Sequence, residues 1–181
     1  LASKSEHAYV QSVRNPSELL CYPTESRLRI LATAKIRVNK SQAKIFKCRA
    51  RSDWTLIRGI RTFSGSDLPI CALSVLVLPE YSGVAEKLSS IKKPVFQAIA
   101  DTYGESIQKV SVDFSSSLID EALSELLGIE IGTAVLRVRR QYVGNSGKIF
   151  EISVTDHVES NFNFSFEFSR GWETNPDWSE D

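Results

Sequence analysis

Two charged residues sit in apolar surroundings, where a charge is costly without a partner. Arg61 belongs to the run Trp54–Phe63, which reads as a largely apolar strand. Such an arginine needs an anionic partner or solvent. Glu151 lies between Phe150 and Ile152. A carboxylate there accepts hydrogen bonds from ligand hydroxyls or an ammonium group; a salt bridge to a neighbouring arginine such as Arg139 is the alternative. Ser153, two residues on, is placed to support Glu151. Near the start of the chain, Ser26 and Arg27 open an alternating segment. A hydroxyl and a guanidinium converging on a loop suit phosphate or carboxylate. A plain surface arginine is the other reading of Arg27.

Other chemistries lack their residues. There is no nucleophile elbow, metal-ligand cluster or phosphate loop in the sequence. Cys21, Cys48 and Cys71 are widely spaced, odd in number and form no CxxC pair. Neither a disulfide framework nor a zinc site is expected, but buried reduced thiols are. His7 and His157 lie too far apart in sequence to point to a structural metal, and no cofactor is expected. No apolar run approaches the roughly 18 residues of a membrane span. Leu1-Ala2-Ser3-Lys4-Ser5 lacks the apolar core of a signal peptide, so a cytoplasmic protein is expected. The sequence contains no methionine, not even at position 1, which reads as a processed form or a fragment.

Net charge is zero but unevenly spread. Arg27 to Arg61 holds eleven Lys/Arg and one acid, Asp53, whereas Thr62 to Asp181 holds nine bases and eighteen acids. A basic stretch can meet an anionic partner. Because these bases alternate with apolar residues, they equally read as solvated strand and helix faces.

The elements that must hold these residues follow from periodicity. Leu28, Ile30, Ala32, Ala34, Ile36 and Val38 alternate as one face of a strand. A short helix is predicted between Ser41 and Cys48, then a strand over Trp54–Phe63, a turn at Ser64-Gly65-Ser66-Asp67 and a strand over Ile70–Leu78. Pro94–Tyr103 has helical spacing with Gly104 as its C-cap. A strand over Ile107–Phe114 and an amphipathic helix over Leu118–Leu127 follow. Ala134–Val143 and Ile149–His157 form a second hairpin, and Asn163–Phe168 a last strand. Residues 1–23 read as a lead-in with a short helix through Glu18-Leu19-Leu20, and Gly171–Asp181 as a loose acidic tail.

The chain repeats itself. Shifted by 79 positions, Ile57 meets Leu136, Arg58 meets Arg137, Arg61 meets Arg140, Phe63 meets Tyr142 and Ser74 meets Ser153. A short helix and a hairpin therefore occur twice. Two copies suit one antiparallel sheet built from two halves, with helices packed on one face. A pocket between such halves is a natural ligand site.

A family resemblance joins these features. Leu126-Leu127-Gly128-Ile129, then Gly132-Thr133, then Val135 to Arg140 resembles the "LLG-x-x-x-GT-x-x-L-x-x-x-R" run of the UTRA domain, the effector domain of HutC-type GntR-superfamily regulators. Tyr142, Gly147, Glu151 and Ser153 continue it, and Phe162-Asn163-Phe164 stands where that family has an aromatic strand. Arg61 with Pro69, and Tyr103-Gly104, fit the first half. The resemblance spans about residues 24 to 170.

It implies an α+β, chorismate-lyase-like fold: a six-stranded antiparallel sheet with flanking helices. It implies that Ser26 and Arg27 help hold an anionic group, that Arg61 points into the pocket and that Glu151 contacts the effector. Many members place a pocket Tyr, and others a His, at the position of His157; a partly exposed histidine is the plainer reading. Tyr142 reads as a pocket wall or as core. Lys93 stands where some members have a ligand-binding Ser. Phe63 replaces a second family arginine, which favours a carboxylate over a phosphorylated sugar. The expected function is sensing a small anionic or zwitterionic metabolite, with no catalysis, in a homodimer. Operator DNA would be bound only through a winged helix-turn-helix domain upstream of the lead-in at residues 1–23; the sequence itself holds no such three-helix segment. The alternatives are a chorismate-lyase-like enzyme acting on a small carboxylate and a nucleic-acid binder using the basic stretch.

Overall fold

Runs of alternating apolar and polar residues, broken by glycine-containing turns, fold back on one another as strands. The computed structural model describes residues 9–13, 26–63, 65, 69–88, 93–158 and 162–166. Its elements are β1 (Tyr9–Val13), β2 (Ser26–Arg37), α1 (Lys40–Phe46), β3 (Asp53–Phe63), β4 (Pro69–Val77) and a 3-10 turn (Pro79–Tyr81), followed by α2 (Val84–Leu88) and α3 (Val95–Tyr103). Then come β5 (Ile107–Leu118), α4 (Glu121–Leu127), β6 (Ala134–Gly144), β7 (Ile149–Val158) and β8 (Phe162–Phe166). Six strands form one sheet in the order β2-β3-β4-β7-β6-β5, antiparallel throughout. β1 pairs in parallel with β8 in a separate two-stranded sheet.

The sheet has two halves, β2-α1-β3-β4 and β5-α4-β6-β7, which meet where β4 pairs with β7. Ser26 of β2 corresponds to Ile107 of β5, Lys40 of α1 to Glu121 of α4 and Asp53 of β3 to Ala134 of β6. That spacing is 81 residues, two more than the 79 of the sequence overlay. Two residues are one strand period, so side chains keep their faces under either overlay.

Helices cover both faces of the sheet, not one. On one face, Ile57, Leu73, Val75 and Val77 pack under Val84 and Leu88 of α2 and Val95, Ala98 and Ile99 of α3. On the other, Leu56, Leu76, Ile152 and Val154 pack with Phe46 and Ala43 of α1, and Ala72, Val135 and Val158 with Leu123, Leu126 and Leu127 of α4. The central strands β4 and β7 are buried nearly throughout; β4 is apolar on both faces, whereas β7 turns Ile152 and Val154 to the α1 side and Glu151, Ser153, Thr155 and His157 to the α3 side. A single layer of helices would leave one apolar face in water.

β2 also departs from its pattern. A bulge falls between Ile30, opposite Gly59, and Ala32, opposite Arg58. It inserts one residue and turns the strand over. Leu28 and Ile30 therefore pack on the α3 side, and Ile36 with Val38 on the α1 side. The six alternating residues do not share one face. At the bulge β2 presses close: a Cβ on Gly59 would come within 2.6 Å of the Arg29 carbonyl oxygen.

The helices are short and held from outside. A seven-residue helix such as α1 is too short to persist alone. Asn39 closes a capping box with Gln42. At its other end, Arg139 of β6 donates to the Ile45 carbonyl at 3.1 Å and Gln141 to those of Phe46 and Lys47, each at 3.0 Å. α4 starts at Glu121, not Leu118, because Leu118 still pairs with Ala134 and Asp120 caps the helix at Leu123 N. Periodicity missed α2, the 3-10 turn and β1, which lies inside the expected lead-in. The helix expected at 18–20, most of the turn at 64–67 and the tail at 171–181 lie outside the described residues. Among the described residues, no helix is long and apolar enough to cross a membrane, and no group of residues is arranged to hold a metal.

Candidate functional site

Strand alternation gathers polar side chains on the α3 side of the sheet. Arg140 stands opposite Ser153, and Tyr142 opposite Glu151. Arg61 stands opposite Cys71, which in turn faces His157. A small pocket is lined by Arg61, Arg140, Tyr142, Glu151, Ser153 and Thr155, with Leu28, Leu73 and Val75 as its apolar floor. Pro94, Val95 and Phe96, at the start of α3, close one side. Phe96 stacks on Tyr142 with ring centroids 4.7 Å apart, which fixes that wall.

Burial governs the electrostatics. Arg61 is 4% exposed, and its Nη1 donates to Ser26 Oγ at 2.8 Å. Arg140 is 2% exposed and reaches Thr155 Oγ1 at 3.5 Å. Thr155 Oγ1 lies 3.0 Å from His157 Nε2 and donates to the Val138 carbonyl at 3.2 Å. Glu151 is 2% exposed, and its Oε2 has no hydrogen-bond partner among the described residues. Burial pushes its carboxyl well above the ordinary range; Arg140 opposes this but does not overcome it. His157 is held neutral, pushed down to about 3 by burial and then by Arg140 and Arg61. Burial likewise pushes the Cys71 thiol up to about 12, so it is no nucleophile at neutral pH. The pocket thus presents two guanidiniums, hydroxyls and a carboxyl that burial makes hold its proton more tightly than usual.

Of the residues singled out from sequence, Arg61, Tyr142, Glu151 and Ser153 line this pocket, and Ser26 joins it through Arg61. His157 is buried just beyond, against Thr155. Phe63 is half-buried opposite Ser26 and is not among the lining residues. Arg27 is exposed, because adjacent residues of a strand point to opposite faces and Ser26 takes the inner one. Lys93 is exposed and pairs with Asp101 at 2.7 Å. The alternative of a Glu151–Arg139 salt bridge is overturned. Arg139 lies on the other face and binds Asp113 at 2.6 Å. Sequence reasoning missed Arg140 as a pocket residue, together with Thr155 and the start of α3. The signal for Arg140 was present, since the 79-residue overlay matches it to Arg61.

The model of the UTRA domain matches residues 24–163. The chain belongs to the UTRA domain family. Solved structures with the same architecture include the ligand-binding domain of a GntR-family transcriptional regulator from Bordetella bronchiseptica. It has a TM-score of 0.67 and 16% identity, over 82% of this chain and 92% of that one. The effector domain of PhnF from Mycobacterium smegmatis has a TM-score of 0.64 and 12% identity, over 80% and 87%. A GntR-family regulator from Enterococcus faecalis has a TM-score of 0.60 and 23% identity, over 78% and 99%. At such identities the likeness shows the fold, which is chorismate-lyase-like. No curated protein matches the chain by sequence. Family membership makes this UTRA domain a ligand-binding regulatory domain, with the Arg61–Glu151 pocket as its candidate site.

Proposed function

We propose that this UTRA domain is the effector-sensing and dimerisation module of a HutC-type bacterial transcription regulator in the cytoplasm. Its effector is a small anionic or zwitterionic metabolite held in the pocket of Arg61, Arg140 and Glu151. The observation that carries this reading is two buried guanidiniums facing a buried, protonation-prone carboxyl in one pocket. The arginines take an oxyanion through paired N–H groups. Glu151 donates a hydrogen bond to a ligand oxygen or, on losing its proton, accepts from an ammonium group. The preference for a carboxylate rested on Phe63 standing in for a second arginine. Arg140 supplies a second guanidinium from β6, so the charge count supports a carboxylate and a phosphoryl group alike.

Operator DNA is bound by a winged helix-turn-helix domain of the same regulator, and the sensor pairs two such heads. Of the two sheet edges, β5 is the better dimer surface, since it exposes Phe114 at 40% and Leu118 at 66%. β2 carries Arg27, Arg29, Lys35 and Arg37, and charges on an edge discourage pairing. Sedimentation at high concentration is expected to give a dimer; a monomer of 20.2 kDa throughout removes this part.

The deciding experiment is a thermal-shift screen of carboxylic acids, amino acids and phosphorylated sugars. A specific ligand at about 100 times its dissociation constant stabilises the fold by about 2.7 kcal/mol. Arg61→Ala is expected to weaken that ligand by at least about 1.5 kcal/mol. Unchanged affinity removes Arg61 as the anion anchor. Incubation with chorismate is expected to give no product; turnover makes the pocket an active site.

A further inference from the structure

The face of the sheet opposite the effector pocket carries a larger recess. It lies open to solvent between α1 and α4, with Ile45 and Phe46 on one wall, Leu123 and Leu126 on the other, and the sheet as floor. Three arginines of β3 and β6 share this face, and the fold neutralises two of them. Arg137 stands opposite Asp156 and binds both its oxygens, at 2.7 and 3.0 Å. Arg139 stands opposite Asp113 and binds it at 2.6 and 3.2 Å. The third, Arg58, has Ala32 and Ser74 as its cross-strand neighbours, and neither is charged. Among the described residues Arg58 makes no ion pair, and it is exposed in the recess that it lines with Ser74. The remaining acid in the lining, Asp120, is engaged at the start of α4, where it accepts from Leu123 N at 2.9 Å.

We propose that this recess is a second small-molecule site, and that it takes an organic monocarboxylate with a compact apolar body. The carboxylate meets Arg58 and the Ser74 hydroxyl, as Asp156 meets Arg137 and Asp113 meets Arg139. The apolar body lies between the α1 and α4 walls, where its burial adds to binding. A monoanion fits better than a phosphate dianion. One guanidinium awaits a counter-charge here, and Asp156 and Asp120 repel a second negative charge.

The test is a fluorine NMR titration of the whole chain with 4-fluorophenylacetate and, as its uncharged counterpart, 2-(4-fluorophenyl)ethanol. The acid is expected to bind saturably in the millimolar range, and the alcohol at least about tenfold more weakly, because a hydrogen bond to a charged group is lost. Arg58→Gln should weaken the acid by a similar factor. Ser74→Asp should abolish its binding by setting a carboxylate opposite Arg58 on a strand face remote from Glu151. Arg58 is exposed and Ser74 half-buried, so both variants should melt like the wild type. Arg61→Ala should leave the acid's affinity unchanged, because Arg61 is the anion anchor of the effector pocket on the other face; this separates the two sites. No saturable binding by the acid overturns the proposal, as does equal affinity in Arg58→Gln. Loss of binding in Arg61→Ala with retention in Arg58→Gln also overturns it, and places the acid in the effector pocket.

Discussion

Replacing Glu151 by Gln reads out the charge state of the pocket. Gln has nearly the shape of a protonated carboxyl and cannot ionise. Burial raises the Glu151 carboxyl in the folded chain, whereas an unfolded glutamate titrates near about 4.3. A raised folded value means that the native state holds the proton longer. The stability from this group is therefore full below about pH 4.3 and is lost as pH rises from there through the folded value. The loss runs at about 1.4 kcal/mol per pH unit across that window. The glutamine variant has no such loss. Both proteins should match within about 1 kcal/mol near pH 4, and the variant should gain on the wild type as pH rises. Urea denaturation at several pH values, with m held common, measures this difference and cancels groups shared by the two proteins. The opposite result would refute the reasoning. A variant less stable by about 3–5 kcal/mol at neutral pH means that Glu151 is ionised and paired, and that its loss strands a buried arginine.

Three further outcomes test the fold around the site. His157 titrates near about 3 in the folded chain and about 6.5 unfolded, so its contribution is present above about pH 6.5 and lost as pH falls towards 3; His157→Asn should flatten the acid limb of a stability profile, and an unchanged limb removes this assignment. Gly59→Ala should cost about 1–3 kcal/mol in chemical denaturation, since its Cβ meets the Arg29 carbonyl oxygen at 2.6 Å and that backbone must move. Asn39→Ala should cost about 1 kcal/mol through loss of the α1 capping box, while the effector pocket on the other face keeps its affinity.

The six main strands were legible because each holds its alternation or its apolar run for nine residues or more. α3 was legible because Gly104 ends it in the left-handed conformation that glycine favours. The five residues of α2 and three of the 3-10 turn are too few to show a period. β1 pairs in parallel with a strand near the far end of the chain, and local pattern carries no sign of such a partner. The face assignments failed where alternation itself breaks, at the β2 bulge, and where apolar residues on both faces erase polarity, in β4. Within the site, Arg61 and Glu151 stood out as charges among apolar residues. Arg140 was hidden in Arg137-Val138-Arg139-Arg140, where the strand sends Arg137 and Arg139 to one side of the sheet and Arg140 to the other. Strand parity would have separated them, since Arg140 shares a face with Tyr142.

Leu31, the residue inserted at the β2 bulge, is 42% exposed. Its side chain contributes little, and most polar replacements should be tolerated at about ±0.5 kcal/mol. Its place in the count matters more. Deleting Leu31 would remove the bulge and leave the pairing on either side of it intact, with Ile30 still opposite Gly59 and Ala32 still opposite Arg58. Leu28 and Ile30 would keep the α3 side, Ile36 and Val38 the α1 side, and Ser26 its place beside Arg61. Deleting one residue elsewhere, between Arg27 and Ile30, would instead reverse the strand end that carries Ser26, so a frame slip of one residue is harmless at Leu31 and reaches the pocket a few positions away.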